Sequence, residues 1–203
     1  MLELFEFGLS GNCHKVRMLL SLLGVDYKSQ LLNGAEREQK SAAYLAMNPF
    51  GLVPVLKDGD KIIRDSQAIL VYLARTYGAK HWFPNDALKA AEITAWLSTA
   101  ANEVARGPNA LRLHYKFGRA INIEEAVIIT ENLLSVLNTH LAQREWLAMD
   151  AMTIADIAVY PYIALANEGK VDLTPYTHIK NWLARIEALS GFVSMPGIQL
   201  SKS

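Results

Sequence analysis

The spacing of apolar residues changes near position 80, and that change divides the chain in two. Ahead of it, strand-like runs alternate with helical periods. Residues 2–7 predict a strand. Val16, Leu19, Leu20 and Leu23 recur every three or four positions, which predicts a helix over 12–23 with one apolar face. Residues 25–31 predict a second strand, and 35–45 a polar, exposed helix. Runs at 53–56 and 61–64 flank Asp58-Gly59, a hairpin signal. Asp65 or Ser66 then caps a helix running to Tyr77, with Ile69, Tyr72, Leu73 and Thr76 along one side. The predicted order is β-α-β-α-β-β-α. A strand–helix–strand start favours a parallel pair, and the closing hairpin adds an antiparallel edge.

Beyond the stretch 79–87, which contains His81-Trp82-Phe83-Pro84, no strand pattern is evident and helical spacing takes over. Ile93, Leu97, Ala100 and Val104 share one face; Val127, Thr130, Leu134, Leu137 and Leu141 share another. Thr153-Ile154-Ala155-Asp156 is close to a capping box, with Asp in the usual Glu position and Met152 and Ile157 placed as its hydrophobic staple. Pro161 falls inside that helix, and residues 176–189 form the last one. The expected organisation is therefore α/β plus all-α: a mixed-sheet domain over 1–78, a linker over 79–87 that also packs, and an all-helical domain over 88–203.

Composition narrows the setting. The chain has 203 residues, 51% of them hydrophobic and 20% charged, enough to bury a sizeable core. Twenty basic residues balance twenty acidic ones, which argues against broad binding to nucleic acid or anionic membranes. The start lacks the basic segment and apolar run of a signal peptide, and no stretch has the ~18 apolar residues of a membrane span. A single cysteine closes no internal disulfide and fits a reducing compartment. The expectation is a soluble, cytoplasmic protein.

Candidate chemistry begins at Leu9-Ser10-Gly11-Asn12-Cys13-His14-Lys15-Val16. Here a strand hands over to a helix, whose first N–H groups are able to hold a negative atom. Ser10 reads as an N-cap or as a hydroxyl donor. Cys13, beside Val16, reads as a small buried hydrophobe, and His14 as an exposed residue. No other His, Cys or carboxylate stands at metal-ligand spacing from His14, so no metal is expected.

Four stretches in register carry a resemblance. They are Ser10-Gly11-Asn12-Cys13, then Asn48-Pro49-Phe50-Gly51-Leu52-Val53-Pro54-Val55-Leu56, then Asp65-Ser66 opening a helix, and Met152-Thr153-Ile154-Ala155-Asp156. Together the chain resembles a cytosolic glutathione transferase, with a thioredoxin-like N-terminal domain followed by a helical one. It is similar to bacterial, serine-type members: Ser10 matches a position that is serine in theta- and zeta-like transferases and cysteine in beta- and omega-like ones. Cys13 matches the resolving position of Cys-x-x-Cys redox relatives. Without an attacking thiol at position 10 it cannot run internal dithiol exchange.

The resemblance implies the remaining roles. Ser10 stabilises the glutathione thiolate. Val53, before a cis Pro54, pairs its backbone with the cysteinyl unit of the tripeptide. Asp65 and Ser66 hold the γ-glutamyl end, and Gln39, or the neighbouring Lys40, meets the glycyl end. Leu52 departs from the polar residue often found there. A second, hydrophobic electrophile is expected against the first long helix of the helical part, where Asn102, Glu103, Arg106, Asn109 and Leu113 share enough helical spacing to face that cleft in some combination. Glutathione acts as co-substrate with no further cofactor, and a homodimer is implied. The energetics suffice. Half-ionising a thiol of pKa ~8.5 at pH 7 needs about 2 kcal/mol. A hydrogen bond to a charged acceptor contributes ~1.5–3 kcal/mol and a helix end ~0.3–1 kcal/mol. Two other function classes are compatible with the same residues: a glutathione-dependent disulfide reductase or isomerase, and a non-catalytic glutathione-binding regulatory module.

Overall fold

In the computed structural model, which describes residues 1–200, the first strand lies inside the sheet. Strand β1 (Leu2–Glu6) pairs parallel with β2 (Tyr27–Leu31) and antiparallel with β3 (Val55–Asp58), and β3 pairs antiparallel with β4 (Lys61–Arg64). The order β2-β1-β3-β4 is the expected thioredoxin-like one. Strand β1 shows period-two alternation: positions 2, 4 and 6 are buried, while Glu3 and Phe5 between them are half-buried. Glu6 is held by the Arg17 guanidinium and by the Ser29 hydroxyl, which donates to Oε1 at 2.6 Å. Its charge therefore stays compensated.

Helix α1 (Gly11–Leu22) buries Val16, Met18, Leu19 and Leu20 and packs on α3 (Ser66–Thr76). The single helix expected over 35–45 is instead broken. A 3₁₀ turn (Glu38–Lys40) ends at Ser41, which is extended, and α2 (Ala42–Met47) starts after it. The Ser41 hydroxyl accepts the Tyr44 N–H at 3.2 Å, so a local cap wins over continuous helix, and Tyr44 turns inward.

Among the described residues no strand follows β4. Helices α4 (Ala87–Ala101), α5 (Glu103–Arg106), α6 (Pro108–Phe117), α7 (Ile123–Leu141), α8 (Ile154–Ala164) and α9 (Thr177–Glu187) form the second part. Helix α8 is its axis. Every residue from Ile154 to Ile163 is buried, and α1, α3 and α4 all pack on it. One hydrophobic cluster runs unbroken from Leu4 and Leu19 through Leu70 and Ile93 to Leu134 and Trp182. The two parts thus share a core. Trp82, in the stretch between them, is buried and accepts the Ile154 N–H at 3.3 Å. None of the described helices is long and apolar enough to cross a membrane.

The start of α8 is fixed by the predicted box. Thr153 Oγ1 accepts the Ala155 N–H at 3.2 Å, and Asp156 Oδ2 accepts the Thr153 N–H at 3.0 Å. Asp156 Oδ1 also takes the Leu147 N–H and the Trp182 Nε1–H, tying the preceding loop and α9 to the same carboxyl. Burial nevertheless pushes that carboxyl up to about 6, against the donors that favour its charge. Thr153→Ala is expected to lower stability by ~0.5–2 kcal/mol in urea denaturation, with glutathione affinity per folded molecule unchanged.

Candidate active site

The chain leaves β1 and turns so that the Ser10 N–H bonds the Phe7 carbonyl at 3.1 Å. Ser10 is extended (φ −84°, ψ 120°) and caps α1: its Oγ accepts the Cys13 N–H at 3.3 Å, and its carbonyl accepts from His14. The next residue has no room for a side chain. A Cβ on Gly11 would lie 2.7 Å from the Tyr162 ring, so the first turn of α1 sits directly against α8. The Tyr162 hydroxyl accepts the Asn12 N–H at 3.3 Å. With Asn12 and Cys13 engaged, the Gly11 N–H is the helix-end donor left without a partner among the described residues.

Burial sets the protonation of the groups around this turn. It pushes the Cys13 thiol up to about 11, although the Ser10 hydroxyl and a Phe7 backbone bond pull the other way. The only cysteine is therefore a neutral thiol near pH 7. Burial also pushes the Tyr162 phenol up to about 12; nearby Cys13 adds to this, while the Arg112 charge, the Asn12 N–H and the Ser10 hydroxyl oppose it. Lys15 is fully buried behind them, its Nζ 5.6 Å from the Tyr162 ring centre and without a hydrogen-bond partner among the described residues. Desolvation lowers it to about 7, with Asp65 opposing. His14 is not the exposed residue expected. It is buried, with Nε2 2.7 Å from the Val193 carbonyl, and desolvation lowers it to about 4. The reason is the inward face of α1, which the closing segment covers.

Ser10 opens onto a cavity of about 680 Å³ between the sheet domain and α6. Gln39, Lys40 and Val53 line it from the same side as Ser10, and Asn109 and Leu113 from α6. Gln39 Oε1 is buried there without a partner among the described residues. The wall bearing Val53 is held by Asn48. Its Nδ2 donates to the Leu52 carbonyl at 2.8 Å, joined by the Tyr44 hydroxyl at 2.7 Å, and its Oδ1 accepts the Phe50 N–H at 3.2 Å. Gly51 has φ +58° and no space for a Cβ beside Lys40 and the Gln39 carbonyl. The Val53–Pro54 bond is cis, as the resemblance implies. Pro54 itself is buried and lies outside the cavity wall, and the Leu52 side chain faces solvent.

The remaining expected residues lie elsewhere. Asp65, at φ +74°, caps α3 by accepting the Gln67 and Ala68 N–H groups at 2.9 and 3.2 Å. Ser66 is the first helical residue, buried, with its hydroxyl on the Gln67 side-chain oxygen. Neither lines the cavity, although Asp65 is the charged neighbour of Lys15. Asn102 and Arg106 do not face the cleft. Asn102 bonds Glu103, while the Arg106 guanidinium pairs with Glu125 of α7 and Asn102, all in solvent. The short α5 between α4 and α6 turns these positions away, an interruption that continuous helical spacing does not reveal. Sequence reasoning also passed over Tyr162 and Arg112, which line the cavity. Both sit on apolar or mixed helical runs where no local motif marks them.

The N-terminal-domain model of the glutathione S-transferase family matches residues 4–81, and the C-terminal-domain model matches residues 108–190. Over 195 residues the chain is 30% identical to glutathione S-transferase GstB of Escherichia coli K12, covering 92% of this chain and 93% of that protein. The chain belongs to the glutathione S-transferase family. A crystal structure of a glutathione S-transferase from Xanthobacter autotrophicus Py2 superposes with a TM-score of 0.89 at 28% identity, covering 97% of this chain and 98% of the other. A glutathione transferase homologue from Drosophila mojavensis with bound glutathione gives a TM-score of 0.84 at 28% identity, over 93% and 88% of the two chains. The thioredoxin-like sheet and the helical second part are thus those of this enzyme family, and the cavity stands at their junction. Within this family member, Asn48→Ala is expected to remove two side-chain bonds that shape the Val53 wall. The outcome is a loss of ~1–3 kcal/mol in stability and faster hydrogen exchange at the Phe50 amide.

Proposed function

We propose that this enzyme conjugates glutathione to a small hydrophobic electrophile, with the Ser10 hydroxyl stabilising the glutathione thiolate. The observation that carries the reading is the placement of Ser10: a half-buried N-cap hydroxyl on the wall of the cavity, beside the unengaged Gly11 N–H. The Ser10 oxygen accepts the Cys13 N–H, and in this reading its hydroxyl hydrogen is donated to the thiolate. One such bond to a thiolate, with the helix end, meets the ~2 kcal/mol that half-ionisation at pH 7 requires. Cys13, buried and neutral, is a poor competitor for the nucleophilic role.

In this reading the thiolate sulfur attacks the electrophilic carbon, a carbon–sulfur bond forms, and the leaving group departs with its bonding electrons. The Val53 backbone aligns the cysteinyl unit, and Gln39 or Lys40 receives the glycyl carboxylate. Asp65 and Ser66, which stand beyond the cavity wall, take the γ-glutamyl end where the tripeptide extends past it. The left-handed backbone of Asp65 supports a functional role, since a non-glycine residue adopts it at a conformational cost. The bound glutathione of the Drosophila mojavensis homologue supports the choice of co-substrate. The electrophile lies against Asn109 and Leu113, and no cofactor beyond glutathione takes part. The assembly is a cytoplasmic homodimer, a reading supported by the exposed Phe50 ring with Arg64 stacked on it.

Titrating the ultraviolet absorbance of bound glutathione thiolate against pH tests the proposal. Ser10→Ala is expected to bind glutathione nearly as well, while its thiol ionises roughly 1–2 pH units higher. Cys13→Ala is expected to leave the curve in place. An unchanged curve in Ser10→Ala removes Ser10 from the mechanism, and binding without turnover in the wild type makes the protein a non-catalytic module.

A further inference from the structure

We propose that Arg112 makes the second-substrate end of this cavity selective for electrophiles that carry a carboxylate or a similar anionic oxygen group. The inference rests on the transferase reading above and adds a substrate class to it.

Arg112 stands on α6, is only 2% exposed, and lines the cavity together with Phe117 and Tyr162. Its guanidinium is held on one side and free on another. Nε donates to Glu168 Oε2 at 2.5 Å, and the central carbon lies 5.2 Å from the Phe117 ring centre. Nη2 is buried and has no hydrogen-bond partner among the described residues. A buried N–H donor left unpaired is unfavourable, so this one is built for an acceptor that arrives with a ligand.

The local charge favours an anion. Glu168 is shared with Lys116, which also bonds it, so two cations face one carboxylate and the cluster is net positive. Lys40 and Arg119 add positive charge to the cavity wall, and no Asp or Glu lines it. Position relative to the reacting centre follows from Tyr162. Its phenol is close enough to feel the Arg112 charge, and it contacts the first turn of α1 next to Ser10. An electrophile seated with its apolar body on Leu113 and Phe117 would therefore set an anionic oxygen on Arg112, while its reactive carbon faces the thiolate. The planar fork of a guanidinium suits a carboxylate better than a neutral ester, which offers weaker acceptors and no charge.

The probes are 4-chloro-3,5-dinitrobenzoate and its methyl ester. In each, the glutathione sulfur displaces chloride from the ring and the carboxyl group takes no part in bonding changes. With each rate divided by the uncatalysed rate for the same compound, the wild type is expected to favour the acid about tenfold to a hundredfold in kcat/KM. In Arg112→Gln, where Lys116 still accompanies Glu168, the ratio falls to near one whatever the absolute rates. Should that variant fail to fold, competition supplies the reading: 3,5-dinitrobenzoate should inhibit wild-type turnover of the ester about tenfold more tightly than its own methyl ester does. Equal use of acid and ester by the wild type overturns the inference while leaving the transferase reading intact. An acid preference that survives in Arg112→Gln also overturns it, assigning selectivity to Lys40 or Arg119. Turnover of neither probe, together with failure to bind glutathione, overturns the parent reading and this one with it.

Discussion

The close approach of Gly11 to the Tyr162 ring is the constraint on which the site depends. It brings the N-terminal end of α1, with its cap and its unengaged N–H, against the most buried helix of the second part. A methyl group at position 11 would intrude to 2.7 Å, so the two parts of the chain meet there at a fixed distance and with a fixed orientation. The cavity is what remains between them on the solvent side. Helix α8 can serve as the anvil because its own start is locked, through Thr153 and Asp156, to the loop at Leu147 and to Trp182. A capping box far from the cavity thereby determines where a phenol stands beside Ser10.

This coupling explains what the sequence could and could not disclose. Strands, the hairpin, the α1 cap and the capping box all arise from interactions between near neighbours, and each was legible. So were the cis Val53–Pro54 bond and the position of Ser10 as the cap of α1, because motifs within a few residues carry them. The break at Ser41 was missed since one hydroxyl can end a helix that the apolar pattern leaves open. Asn102 and Arg106 were misplaced because α5 interrupts a helical face whose spacing runs on regardless. His14 was misread as exposed because its cover, near Val193, lies at the opposite end of the chain. Tyr162 and Arg112 gain their meaning only from contacts across the domain junction, and no pattern local to α6 or α8 records those contacts.

The same junction governs charge. Around Ser10 the protein's own titratable groups are driven towards their neutral forms: the Cys13 thiol upward, the Lys15 ammonium and the His14 imidazole downward, all chiefly by desolvation. A site that suppresses ionisation of its own side chains would also suppress that of an incoming thiol unless specific donors oppose it. In the proposed reading the hydroxyl of Ser10 and the helix end would be those donors, and their effect would be largest where water is least able to screen it. Arg112 stands apart from these groups because its buried guanidinium is paired with a carboxylate. Its pairing with Glu168 is what lets a permanent cation stand in an otherwise neutralised wall, and sharing that carboxylate with Lys116 leaves part of the positive field uncancelled. If both proposals hold, the two ends of the cavity treat negative charge by different means, with oriented dipoles at α1 and a cation at α6.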